Sequence, residues 1–139
     1  MKYTIYDSTT GQIISVKDCP DITQQVINPL HSYIEGDYGG ADYYIDIDNK
    51  VPVAFPPNNY KYANFDYTTK TWVEDTKRLA SDVLAKRKML LNSTDWTQLP
   101  NGPLTAEKQE AWATYRQALR DITKQSGYPT NVEWPVPPQ

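Results

Sequence analysis

Asp95-Trp96-Thr97-Gln98-Leu99-Pro100, followed by Trp112-Ala113-Thr114-Tyr115-Arg116-Gln117-Ala118-Leu119-Arg120-Asp121 and closed by Trp134-Pro135, is the part of the chain whose reading decides the fold. A strongly periodic helix lies there between two tryptophan-bearing flanks. Ala111, Tyr115, Ala118, Leu119 and Ile122 recur at a period of about 3.6, with Trp112 on the shoulder of the stripe. Thr105 stands where an N-cap belongs, Glu107 follows in the first turn, and Gly127 to Pro129 ends the helix. Upstream, Ala80, Val83, Leu84, Arg87 and Leu91 make a second stripe, widened by Leu90. Asp82 and Lys86 form an i,i+4 pair there, and Lys86-Arg87-Lys88 suit the negative end of the helix dipole. This first helix should stop near Asn92. Pro100-Asn101-Gly102-Pro103 forces a turn between the two, which predicts an antiparallel αα-hairpin. Two helices alone bury too little, so the pair needs a further wall: the rest of the chain, a copy of itself, or another protein. The prolines of Val132 to Gln139 extend the remainder.

Before Glu74 the period is two. Tyr3 to Tyr6 and Ile13 to Val16 read as a β-hairpin around Asp7-Ser8-Thr9-Thr10-Gly11-Gln12, with Gly11 available for positive φ. Residues 18 to 42 mix Pro20, Pro29, Gly36, Gly39 and Gly40 with isolated Val26, Ile27, Leu30 and Ile34, a loop with room for a short helix. Tyr43-Tyr44-Ile45-Asp46-Ile47-Asp48 alternates like a strand with one wet face. Pro52 makes Val51-Pro52-Val53 an edge strand or an extended crossing, and Phe55-Pro56-Pro57-Asn58-Asn59 is a stiff segment and a turn. Tyr60 to Tyr67 and Thr71 to Val73 then flank Thr68-Thr69-Lys70 as a last hairpin. The expected class is therefore α+β: a small hairpin-rich, tyrosine-rich lobe over 1–73, then a helical hairpin with an extended Pro-rich tail over 74–139. There are no repeats of 20 to 50 residues.

With 139 residues, 39% hydrophobic content and a mean hydropathy of -0.69, the chain has material for one modest core or two small lobes. Its 11 Tyr and 4 Trp supply amphipathic surface that buries well against other proteins. A formal charge of -3 without a basic stripe argues against a nucleic-acid partner. The lone Cys19 excludes an internal disulfide, and with only His31 beside it no Cys/His zinc site is available. The amino terminus lacks the apolar core of a secretory signal and no apolar window spans a bilayer, so the expectation is a cytoplasmic chain without membrane contact.

Chemistry is sparse. Asp37, Asp42, Asp46 and Asp48 invite a hydrolase or calcium reading, but Asp46-x-Asp48-Asn49 lacks the glycine and terminal glutamate of an EF-hand, and strand alternation alone explains the carboxylates. His31 has no visible nucleophile or orienting acid, and Cys19 no basic activator. No phosphate loop or nucleophile elbow occurs. Neither catalysis nor a cofactor or metal is expected. Arg116 and Arg120, one turn apart, should present two guanidinium groups along one helix edge, to clamp carboxylates on a partner or to pair locally with Asp121 or Glu110. Trp96, Trp112 and Trp134 serve either as core or as interface anchors.

The ordered segments Leu90-Leu91-Asn92-Ser93-Thr94-Asp95-Trp96-Thr97-Gln98-Leu99-Pro100, Ala111-Trp112-Ala113-Thr114-Tyr115-Arg116-Gln117-Ala118-Leu119-Arg120-Asp121-Ile122, Gly127-Tyr128-Pro129 and Val132-Glu133-Trp134-Pro135 resemble the carboxyl-terminal region of bacteriophage tail assembly chaperone proteins, a group similar to tail fibre assembly proteins. The resemblance covers about 77–138. It implies a non-enzymatic chaperone that binds a tail fibre protein, itself a homotrimer, during folding, trimerisation or attachment. The setting it implies is the host cytoplasm, with later residence in the virion tail left open, as is a homo-oligomer. Trp96, Trp112, Tyr115, Arg116, Arg120, Trp134 and Pro135 are the residues expected to make or support the contact. A fibre accessory or tip adhesin, its tyrosine-rich lobe on host glycan, is the alternative.

Overall fold

The structure is a computed structural model that describes residues 1–25 and 27–139; Val26, one of the apolar positions in the loop reading, lies outside the described residues. The chain divides into two compact units, Met1–Val73 and Glu74–Gln139.

In the first unit β1 (Lys2–Asp7) is the central strand of a three-stranded antiparallel sheet, with β2 (Ile13–Asp18) on one edge and β3 (His31–Glu35) on the other. Its residues Thr4, Ile5 and Tyr6 are buried, and Ile5 meets Cys19 and Ile22 in the core with Tyr3 and Ile27 against them. The Thr4 hydroxyl is fully used: it donates to Gly36 O at 2.9 Å and accepts from the Tyr38 N–H at 3.0 Å. β3 falls in a stretch expected to be loop. His31-Ser32-Tyr33-Ile34-Glu35 alternates only weakly, and its strand character comes from the free edge of β1, a contact remote in sequence. The short helix expected in the same stretch is a single 3-10 turn, Ile22–Gln24, capped by Asp21.

β4 (Tyr43–Asp46) pairs with β5 (Val51–Ala54), and β6 (Ala63–Asp66) with β7 (Thr71–Glu74). Pro52 lies opposite Ile45 in a two-stranded ladder, so its missing N–H leaves no inner strand unpaired. Tyr44 packs with Phe55, Phe65 and Tyr67 at centroid distances of 5.4, 5.1 and 6.4 Å, and Trp72 lies 5.2 Å from both phenylalanines. These rings hold the two hairpins together.

One turn design is used three times. The carboxylate of Asp7 accepts the N–H groups of Thr9 and Thr10, that of Asp46 those of Asp48 and Asn49, and that of Asp66 those of Thr68 and Thr69. In each case the carbonyl of the aspartate accepts the N–H four residues on, from Gly11, Lys50 or Lys70, all at positive φ. At Gly11 a side chain is also impossible on space, since a Cβ would stand 1.9 Å from Ile45 O.

The second unit holds α1 (Thr76–Thr94), a 3-10 turn (Asp95–Gln98), α2 (Ala106–Arg120) and a second 3-10 turn (Asp121–Lys124). Asp75 caps α1, and Thr105 caps α2 by accepting from Lys108 N–H, as its position in the sequence predicts. α1 runs two residues beyond Asn92 because Thr94 donates its hydroxyl back to Leu90 O at 2.8 Å. The αα-hairpin is antiparallel: Arg87 Nη1 reaches Arg120 O, Arg116 Nη1 reaches Leu91 O, and Gln98 Nε2 reaches Gln109 O. Tyr115, Leu119 and Ile122 are buried as their stripe requires, but Leu84, Ala111 and Ala118 are exposed. The wall thought to be missing from the hairpin is therefore already in place over Leu119 and Ile122, neither of which reaches solvent.

The turns set a pH dependence. Hydrogen bonds from the Thr9 hydroxyl and the Thr9 and Thr10 N–H groups hold the Asp7 carboxyl down at about 2, and Asp46 and Asp66 are lowered by the same kind of donors. A depressed carboxylate stabilises the fold above its ordinary range and loses that contribution as pH falls through the folded value. Asp7→Ala therefore lowers the melting midpoint near neutral pH, and its difference from the parent vanishes as pH falls through about 2. Thermal melts across that range check this, and a difference that persists below it contradicts the turn assignment.

Candidate partner-binding site

The tip of the helical hairpin is built from short polar groups that hold an aromatic ladder. Thr97, buried, donates its hydroxyl to Thr94 O at 2.6 Å and fixes the 3-10 turn. Gln98 and Gln109 close the far side: Gln98 Nε2 donates to Gln109 O and Gln109 Nε2 to Leu99 O, both at 3.2 Å. Asn101 supplies a left-handed residue at φ 59° for the reversal. On this frame Trp96 lies 6.4 Å from Trp112, which meets Tyr115 edge-on at 5.6 Å. The ladder runs from solvent to core: Trp96 is 47% exposed, Trp112 half-buried and Tyr115 buried. Leu99, at 56% exposure, shares a shallow hollow with Trp96, Pro103, Leu104 and Gln109.

Arg116 is not on the surface edge expected for it. It is 7% exposed, and Nη1 donates to Leu91 O at 2.7 Å and to the Thr94 hydroxyl at 2.8 Å, while Nη2 meets Asp95 Oδ1 at 2.6 Å. The last carbonyls of α1 need donors, and a guanidinium crossing from α2 supplies them with a compensating charge. Its partner is Asp95, neither Asp121 nor Glu110. Asp121 instead pairs with Lys124 and Gln117, which lower its pKa. Arg120 remains exposed and offers only its backbone carbonyl to α1, so the two arginines do not form a double clamp.

Trp134 is also held within the unit. The Lys86 ammonium sits 4.3 Å from its ring centroid, a cation–π contact. Gln125 grips the tail by accepting from Glu133 N–H at 2.9 Å and donating to Glu133 O at 2.7 Å, and Asn131 N–H reaches Gly127 O at 2.6 Å. Pro135 is half-buried behind this clamp. Eight residues of helix separate Lys86 from Thr94, about 12 Å of rise. The expected site residues thus divide: Trp96, Trp112, Tyr115 and Arg116 gather at the tip, while Trp134 and Pro135 lie on a strap farther along α1. Lys86, Asp95, Gln98, Gln109 and Gln125 were not anticipated, because polar residues at long separation leave no periodic signal.

The carboxylates of the first unit have local duties. Asp37 pairs with Lys2, Asp46 organises its turn, and Asp42 and Asp48 lie exposed. Among the described residues no group of three His, Cys, Asp or Glu is placed to hold a metal ion. No helix is long and apolar enough to cross a membrane.

Residues 80–139, which contain the tip, Arg116 and the strap, match the model of the phage tail assembly chaperone protein family. The C-terminal module is a phage tail assembly chaperone domain. No curated protein and no solved structure matches the chain. The match supports a role for this module in phage tail assembly, and the family's description as a chaperone implies a phage tail protein as partner. Arg116→Leu in this chaperone module removes the buried charge and its three bonds and should cost about 3 kcal/mol of stability. Asp95→Asn, at the solvent end, should cost about 1 kcal/mol or less. Denaturant titration of both variants tests the order, and equal losses contradict the assignment of Arg116 as the buried fastener.

Proposed function

We propose that this protein is a non-enzymatic tail fibre assembly chaperone, which binds a trimeric phage tail fibre protein in the host cytoplasm while the fibre folds, trimerises or attaches. The supporting observation is Trp96 with Leu99: a large apolar surface left in solvent at the end of the hairpin, on a rigid base of Trp112 and Tyr115. A fixed indole has little freedom to lose on docking, which is what interface anchors require. An unclosed β-rich fibre exposes strand edges and apolar patches that such a tip can cover. In this reading Trp96 makes the contact, Trp112, Tyr115 and Arg116 support it, Arg120, exposed beside the Asp121 carboxylate that it helps to hold ionised, can turn to a carboxylate on the fibre, and Trp134 with Pro135 belongs to the strap. The adhesin reading draws less support, since Tyr44 and Tyr67 turn inward onto Phe65.

Co-expression with a tail fibre protein of the same phage, followed by affinity capture, tests the proposal. Trp96→Ala combined with Leu99→Ala should weaken capture at least about tenfold with the melting midpoint nearly unchanged. Undiminished capture by that variant, or no capture by the parent, overturns it.

A further inference from the structure

A groove in the N-terminal unit is lined by Pro56, Pro57, Tyr60, Lys70 and Trp72 among others. Its floor is rigid. The Trp72 indole N–H is committed to Pro56 O at 2.7 Å and the ring is wedged against Phe55 and Phe65, so what it offers outward is carbon surface. Tyr60 is 47% exposed, on a backbone turned by the Asn58 side chain, which accepts its N–H at 2.9 Å. A fixed tryptophan, a tyrosine and a stiff proline wall suit a polyproline II segment, whose extended form is already set and loses little entropy on docking.

The chain carries such a segment. Pro135-Val136-Pro137-Pro138 has prolines three apart, its root is pinned by the Gln125 clamp and the Lys86–Trp134 contact, and beyond the half-buried Pro135 it presents Val136, 85% exposed, an exposed Pro137 and a half-buried Pro138. Charge agrees in sign with the match: Glu133 spends its backbone on Gln125 and its carboxylate is in no ion pair among the described residues, while Lys70, which also acts on the Asp46 carboxylate and lies 5.1 Å from the Tyr44 ring, brings an ammonium to the groove. We propose that the Tyr60–Trp72 groove of one copy takes the Pro135–Pro138 segment of a second copy of this chain. Reciprocal exchange makes a two-fold pair, a closed arrangement that does not propagate. The fibre contact is not required for this.

Sedimentation of the full chain over a concentration series tests it, alongside Tyr60→Ala, which spoils the groove, and the double substitution Pro135→Ser with Pro138→Ser, which spoils the tail. The parent should self-associate, and each variant should do so at least about tenfold more weakly. Mixing the two variants should restore part of the association, because one intact tail then meets one intact groove. In parallel, the unlabelled peptide Glu133–Gln139 should shift the indole N–H resonance of Trp72 in the isotope-labelled double-serine protein. A parent that stays monomeric throughout overturns the proposal, and so does a Trp72 left unmoved by the peptide. So does a Trp72 response to chito-oligosaccharides or to the fibre protein when the peptide gives none.

Discussion

Arg116 carries a full charge into the narrowest part of the helical unit, and the shape of that unit follows from where the charge finds oxygen. Three acceptors converge on it from the end of α1: a backbone carbonyl at Leu91, the Thr94 hydroxyl and the Asp95 carboxylate. These bonds hold both Nη atoms, while the buried Nε–H has no partner among the described residues, so sliding or rotating α2 against α1 would strand still more of the cation. The register this sets is repeated on either side, by Arg87 on Arg120 O and by Gln98 on Gln109 O. Apolar burial of Tyr115, Leu119 and Ile122 supplies most of the driving force, while the polar fasteners select one arrangement among several that would bury similar area.

That arrangement has a consequence for the tryptophans. Three lie in the helical unit, and the geometry gives each a different duty: Trp134 is paired with Lys86, Trp112 bridges to Tyr115, and Trp96 is left at the end of the ladder in solvent. An assembly chaperone must remain folded without its client and still offer something the client lacks. A hairpin closed around Tyr115, Leu119 and Ile122, with Trp96 and Leu99 presented at its tip, meets both conditions.

The sequence was most legible where structure is local. The Thr105 cap, the Pro100–Pro103 reversal and the Tyr115–Leu119–Ile122 stripe each depend on residues within a few positions, and each is found where its pattern puts it. The first hairpin turn was readable from Gly11. Its two copies at Asp46 and Asp66 were not recognised as one design, because Lys50 and Lys70 adopt the left-handed conformation that usually signals glycine, and the shared aspartate hides among other surface carboxylates. What could not be read is long-range. β3 becomes a strand by pairing with β1, and Arg116 becomes a core residue by meeting an aspartate that precedes it by 21 positions, a contact that periodicity does not register. The same blindness hid the cover over Leu119 and Ile122, which the chain itself supplies.

Hydrogen–deuterium exchange of the intact protein, alone and mixed with the fibre protein proposed as its partner, tests the central claim most directly. A self-closed module with a free tip predicts that amides of α2 around Tyr115 to Leu119 are already slow in the free protein, and that binding adds protection mainly over 95–104. Fast exchange throughout 106–124 in the free protein, slowed only when the fibre protein is present, would mean that the partner supplies the wall after all.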